Sequence, residues 1–269
     1  MTISNHKGTA LITGASTGIG AVYADRLAKR GYDLILVARN QQKLLDLAAR
    51  LRAETGRDVV ALAADLNDRL GLAQVEQRLR TDVHITMLVN NAGIGSMTPL
   101  LTADIDKMDE MIALNVGALT RLTYAVVPGL VERGGGTIIN ISSIVGISPE
   151  TMNGVYGGTK AYVLALTQSL QHELGEKGIR VQAVLPGATA TPFWDIAGVG
   201  IQNLPASIVM TTEDMVDASL AGLDQGEIVT IPALPDLEEW DRYELARRAM
   251  SARLSNMTPA TRCGVPVAA

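Results

Sequence analysis

Short aliphatic and β-branched runs at residues 9–13, 34–38, 59–63, 85–90, 137–141, 180–185 and 228–231 punctuate the chain. Most are apolar throughout rather than alternating, the pattern of strands buried on both faces of a parallel sheet. Between them, residues 21–30, 41–55, 70–80, 105–132, 155–176 and 213–223 place apolar side chains at helical spacing. Gly31 and Gly178 stand where two of these helices should stop. Strand and helix alternate along most of the chain, which predicts an α/β fold with a doubly wound parallel sheet of about seven strands flanked by helices. Pro232 and Pro235 end the alternation, and an acidic-to-basic helix over 237–254 and a loose tail follow. The expected organisation is one domain over 1–232, with 233–269 as its helical extension.

Composition narrows the partners. The chain has 269 residues, of which 47% are hydrophobic and 19% charged, enough apolar material for a large core between helical layers. A net charge of -5 offers no broad field for nucleic acid or an anionic membrane, so a small-molecule partner is expected. No uncharged apolar run reaches the roughly 18 residues of a membrane span. The amino-terminal segment, a short polar arm leading into the first strand, lacks a signal-type pattern. Cys263 is the single cysteine, which excludes an internal disulfide and a cysteine metal cluster, and a reducing, cytoplasmic setting is expected. His6, His84 and His172 are too scattered to suggest metal ligation.

The first strand runs directly into Gly14-Ala15-Ser16-Thr17-Gly18-Ile19-Gly20 and then a helix. Glycines placed there permit a tight turn and close approach of a phosphate to free N–H groups at the helix start. The spacing departs from the usual GxGxxG, and a purely structural turn remains an alternative on this motif alone. Dinucleotide-binding folds place a carboxylate for the adenosine ribose at the end of the second strand. Here that region reads Val37-Ala38-Arg39-Asn40. A guanidinium at Arg39 suits a ribose 2′-phosphate, which a carboxylate would repel, so NADP(H) is the expected cofactor.

Tyr156 and Lys160 lie four residues apart, on one face of a helix. A phenol titrates near 10 and is a poor base at neutral pH. A neighbouring ammonium and a nicotinamide cation are expected to lower that value and make proton transfer feasible. Ser142 and Ser143 end the strand of 137–141 at the carboxyl edge of the sheet, where a hydroxyl can hold a substrate oxygen or cap the strand.

Together, TGASTGIG, Asn90-Asn91-Ala92-Gly93, Ser143, Tyr156-x-x-x-Lys160 and Pro186-Gly187 resemble the short-chain dehydrogenase/reductase family over about residues 8–232. The resemblance implies a Rossmann-type fold. The interval of thirteen residues from Ser143 to Tyr156 matches the family and favours Ser143 over Ser142. The family also implies a catalytic tetrad completed by Asn115, which supports the lysine through water; otherwise Asn115 is an ordinary polar helix residue. It further implies that Lys160 binds the nicotinamide ribose and that Asp65 and Leu66 contact the adenine. Asn91, Ala92 and Gly93 would line the adenosine side, while Pro186, Gly187, Thr189 and Thr191 would hold the nicotinamide amide. A homodimer or homotetramer is the family's usual assembly.

The segment 188–211 should form a substrate loop closing over the site. Phe193 and Trp194 within it either meet an apolar substrate or pack the loop onto the body. Met152 and Asn153 are expected on a second wall. The implied activity is hydride transfer between the nicotinamide and a carbonyl or alcohol, with Tyr156 as acid/base. Two rivals stand: a non-catalytic NADP(H)-sensing protein, and an enzyme using bound nicotinamide for epimerisation or dehydration. Retention of all four tetrad positions weighs against the first, and the compact length against the second.

Overall fold

The structure, a computed structural model, describes residues 6–265. The start of the expected polar arm and the last residues of the expected tail lie outside the described residues. The chain orders β1 (Thr9–Thr13), α1 (Gly18–Lys29), β2 (Asp33–Ala38), α2 (Gln41–Thr55), β3 (Val59–Ala63), α3 (Arg69–Thr81) and β4 (Ile85–Asn90). Then come α4 (Ile105–Ile112), a π-turn segment (Ala113–Ala118), α5 (Leu119–Glu132), β5 (Gly136–Ile141), α6 (Gly154–Leu174) and β6 (Ile179–Val184). A short α7 (Phe193–Ile196), α8 (Thr212–Gln225) and β7 (Val229–Thr230) complete this part, and α9 (Leu237–Ser251) follows.

All seven strands form one parallel sheet in the order β3-β2-β1-β4-β5-β6-β7. Side chains that alternate along each strand fill two apolar cores. Ala10, Ile12, Leu34 and Leu36 face one with α1 and α8, whereas Leu11, Ile35 and Val37 face the other with α3, α5 and α6. This double burial explains why the strands read as continuous apolar runs. The chain runs outward from β1 through β2 to β3 and then crosses back to place β4 on the other side of β1. That reversal opens a crevice at the carboxyl ends of the strands, where doubly wound sheets take ligands.

Two expectations need revision in detail. β7 is shorter than the run 228–231 suggested, and the helix expected over 105–132 is interrupted at Ala113–Ala118. Although the 28 residues Ile105–Glu132 are long and apolar enough to cross a membrane, this is a core segment. Leu122, Ala125, Val126 and Leu130 pack on the sheet, and Arg121 breaks the apolar stretch to pair with Glu76.

Buried polar side chains link neighbouring elements, although Asn90 Oδ1 and Gln182 Oε1 are left without a partner among the described residues. The Asn90 amide donates to Asn140 Oδ1 (2.9 Å) and Thr123 Oγ1 (3.1 Å), and the Asn140 amide donates to Thr167 Oγ1 (2.9 Å). These bonds cross-link β4 and β5 to α5 and α6 within an otherwise apolar layer. Glu76 on α3 is buried and bonded to Arg121 and to Arg80 Nη2 (2.8 Å). Burial would raise its titration, but the two guanidinium groups outweigh it and hold the carboxyl below its usual range. The stability this supplies is fully present above the unfolded value near 4 and is lost as pH falls through the folded value. Glu76→Gln should therefore cost about 1–3 kcal/mol at neutral pH. Thermal melts should also show a smaller drop for the variant than for the parent when pH is lowered below about 4.

Residue contacts divide the chain into two compact units at Pro232/Ala233. The second contains α9, capped by Asp236 through a bond from Glu238 N (2.9 Å). Within it the Trp240 and Tyr243 rings lie 5.3 Å apart, and Glu244 pairs with Arg247 and Arg248.

Candidate active site

The β1–α1 turn is built for close approach. Gly18 has φ +55°, and a Cβ at Gly20 would stand 2.4 Å from Gly14 O, so α1 packs directly on the turn only without a side chain there. Thr13 Oγ1 accepts from the N–H groups of Asn91 and Ala92 (both 3.0 Å), and the Asn91 amide donates to Thr13 O (2.8 Å). Asn91 thereby ties the end of β4 to the turn. Side chains cap α2, α3, α4, α6 and α8, through Asn40, Asp68, Asp104, Asn153 and Thr211. In contrast, α1 has no side-chain cap and no acidic residue in its first turn. Its start combines unfilled donors with the positive end of the helix dipole, which suits a pyrophosphate.

Around this turn the other cofactor candidates converge in part. Arg39 directly follows β2, beside Asn40, is exposed, and makes no hydrogen bond or ion pair among the described residues. Thr191 packs on the turn, 3.2 Å from a Cβ built at Gly18. Pro186 is buried at the end of β6, and its carbonyl accepts from Ser143 Oγ (3.4 Å). Thr189 donates to Gly187 O (3.2 Å). Asp65 is exposed and Leu66 buried after β3, with Asp65 Oδ1 accepting from Asn67 N (2.9 Å). Ser16 and Ile19 are half-buried in the turn and Thr17 is exposed.

The four tetrad candidates lie together at the carboxyl edge. Asn153 caps α6 by accepting from Val155 N (2.9 Å) and Tyr156 N (3.4 Å), fixing where the helix and its tyrosine begin. Tyr156, Lys160 and Ser143 are each buried, at 6%, 6% and 8% exposure. Ser143 lies close enough to the Tyr156 hydroxyl to influence its titration. Lys160 Nζ donates to Ile141 O (2.9 Å) and stands 5.6 Å from the centre of the Tyr156 ring. A Cβ at Gly93 would fall 3.0 Å from Asn115 Oδ1 and 3.6 Å from Lys160 Nζ, which places both beside the β4 edge.

Burial dominates the electrostatics of the pair. It raises the Tyr156 phenol above its ordinary value, and the nearby Ser143 hydroxyl offsets this only in part. Burial also pushes the Lys160 ammonium down to about 8. Desolvation by the surrounding protein is the largest influence on both groups. Burial thus favours the uncharged form of both side chains.

Asn115 lies within the π-turn, where one extra residue is inserted into the helix, a feature often found at functional sites. Its amide donates to Ile94 O (2.8 Å) and accepts from Ile94 N (3.0 Å), clamping the segment after Gly93. Helical periodicity carries no mark of such an insertion, so the sequence reads straight through it.

The substrate candidates divide. Phe193 stacks 5.7 Å from Tyr156, and Met152 joins the same apolar cluster with Ile94, Ile144 and Val145. Trp194 meets Phe193 edge-on at 5.5 Å, and its indole N–H donates to Thr189 O (2.8 Å), so this ring anchors the loop. Asn153 has its oxygen in the α6 cap and its amide on Thr98 O (2.6 Å), a structural role that an Asn ahead of a helix could have signalled. The ends of the loop are joined by Ala190 N to Met210 O (2.9 Å), and its interior is held by Met97 N to Ala197 O (3.1 Å). Gly95, absent from the sequence candidates, lets the Phe193 ring lie against the backbone; an added Cβ would meet it at 2.3 Å.

Comparison with known proteins agrees with this arrangement. The short chain dehydrogenase family model matches residues 8–197. An uncharacterized oxidoreductase of Staphylococcus epidermidis is 31% identical over 226 residues, 82% of this chain and 93% of that protein. Among solved structures, a short-chain dehydrogenase from Sphingobium yanoikuyae in complex with NADPH is 48% identical with a TM-score of 0.91, covering 94% of this chain and 98% of that one. The bulky-bulky ketone specific alcohol dehydrogenase from Comamonas testosteroni is 44% identical with a TM-score of 0.87, covering 95% and 98%. The protein belongs to the short-chain dehydrogenase family and is an oxidoreductase with the family's nucleotide-binding, Rossmann-type fold.

Proposed function

We propose that the protein is an NADP(H)-dependent carbonyl reductase acting on ketones or aldehydes with apolar substituents, and on the corresponding alcohols in reverse. The observation that carries the reading is the buried group of Ser143, Tyr156 and Lys160 beside the uncapped α1 turn. The residues present fit the cofactor. The open N–H groups at the start of α1 would hold the pyrophosphate, Arg39 the ribose 2′-phosphate, Lys160 the nicotinamide ribose, and the segment Pro186–Thr191 the amide. When bound, the nicotinamide supplies or accepts the hydride.

The chain's own groups do the rest. Ser143 holds the carbonyl oxygen and Tyr156 delivers the proton to it as negative charge develops. The charged Lys160 lowers the cost of leaving a phenolate behind. Phe193, with the walls of Ile94, Ile144, Val145 and Met152, excludes water and receives apolar groups flanking the carbonyl. This lining contains no cation, which disfavours substrates that carry a carboxylate or phosphate near the reacting carbon. The neighbours that bind NADPH or act on bulky ketones support the same reading.

The test is NADPH oxidation with aryl ketones, short aliphatic ketones, keto acids and sugars. Turnover should be highest with the aryl ketones and weak with keto acids and sugars. Tight NADPH binding with no turnover across the panel would favour a cofactor-sensing role instead.

A further inference from the structure

We propose that Thr159 is a positioning residue for proton transfer, its hydroxyl locking the turn of α6 that carries Tyr156 to the side chain of Asn115. The inference rests on the reductase reading above. Thr159 is 3% exposed and lies between Tyr156 and Lys160 in sequence, next to the lysine. Its Oγ1 donates to Tyr156 O (2.8 Å) and accepts from Asn115 Nδ2 (3.1 Å). One hydroxyl therefore joins the backbone of the proton donor to the residue in the π-turn.

The two bonds do different things. Donation to a carbonyl one turn back is common for threonine in helices and by itself would mean little. Acceptance from Asn115 reaches across 44 residues of sequence to another element. Asn115 already grips both backbone groups of Ile94, so the lock carries through to the strand end beside Gly93 and Lys160 Nζ. Without the hydroxyl, the Asn115 amide and the Tyr156 carbonyl each lose a buried partner, and the first turn of α6 is free to move against the π-turn. Proton transfer is sensitive to displacements of this kind, whereas cofactor binding draws largely on the α1 turn and Arg39, to which Thr159 makes no bond.

The fold supplies its own control. Thr167, eight residues further along α6, makes an equivalent pair: it donates to Val163 O (2.7 Å) and accepts from Asn140 (2.9 Å), away from the tetrad. Valine is isosteric with threonine, so Thr159→Val and Thr167→Val remove the hydroxyl in each place at nearly constant volume. Steady-state kinetics with NADPH and an aryl ketone should show kcat lowered about tenfold in Thr159→Val, with the KM for NADPH nearly unchanged. Thr159→Ser, which keeps the hydroxyl, should recover most of the loss, and Thr167→Val should keep the parent kcat. Parent-like kcat in Thr159→Val would overturn the proposal. So would equal impairment of Thr159→Ser, which would point to packing, or equal impairment of Thr167→Val, which would point to general loosening. If Thr159→Val does not fold, Thr159→Ala takes its place in the same comparison. A parent enzyme that reduces no ketone would sink the reductase reading itself, and this inference with it.

Discussion

Tyr156→Phe should bind NADPH as the parent does and lose most of its turnover, about 10²–10⁴-fold in kcat, the range for removing a positioned general acid. The ring is 6% exposed and packs against Phe193 at 5.7 Å, and phenylalanine preserves that packing. Only the hydroxyl is lost. Ser143 Oγ keeps its bonds to Pro186 O (3.4 Å) and from Val145 N (3.3 Å), so no buried group is stranded and folding stability should change by less than about 1 kcal/mol. Cofactor titration by fluorescence and a thermal melt, run beside the kinetics, separate these effects. A variant that turns over normally would remove Tyr156 from the mechanism; one that melts much lower or no longer binds NADPH would leave the loss of rate unexplained by proton transfer.

Arg39→Asp should reverse cofactor preference. A charge-assisted bond from a guanidinium to a phosphate is worth about 1.5–3 kcal/mol, and the aspartate adds repulsion where attraction stood. The ratio of kcat/KM for NADPH to that for NADH should fall on the order of 10²–10³-fold. Because Arg39 is exposed and makes no bond among the described residues, the melting temperature should hardly move. Equal use of the two cofactors by the parent, or an unchanged ratio in the variant, would show that the 2′-phosphate is read elsewhere.

Sequence pattern carried the layered fold well because its signals were local and repeated. The strands at residues 9–13 and 85–90 emerged at the same boundaries since side chains buried on both faces leave unbroken apolar runs, and the edge strand at 59–63 did so although Val60 and Ala63 are exposed. Asn153 shows the limit of reading residues by proximity. Its place just before Tyr156 suggested a substrate contact, yet its polar atoms serve the α6 cap and Thr98 O. The π-turn at Asn115 was hidden because an inserted residue does not disturb the mix of apolar and polar positions, only their phase. Thr159 was hidden for another reason: what it does depends on a bond to Asn115, and no local pattern records a partner so far away in sequence. The tyrosine pair illustrates a third gap. Spacing placed Lys160 beside Tyr156, but spacing carries no information on burial, which here moves the phenol and the ammonium in the directions that disfavour charge.

The claim on which all of this turns is that a hydride passes between the nicotinamide and a carbonyl carbon in this site. It is tested most directly by incubating the protein with an aryl ketone and NADPH deuterated on either face of C4, and analysing the alcohol by mass spectrometry and NMR. The account predicts alcohol formed in step with NADPH consumed, with deuterium at the carbinol carbon from one of the two labelled cofactors and not the other. NADPH bound tightly while the ketone is recovered unchanged, or alcohol formed without deuterium from either cofactor, would contradict it.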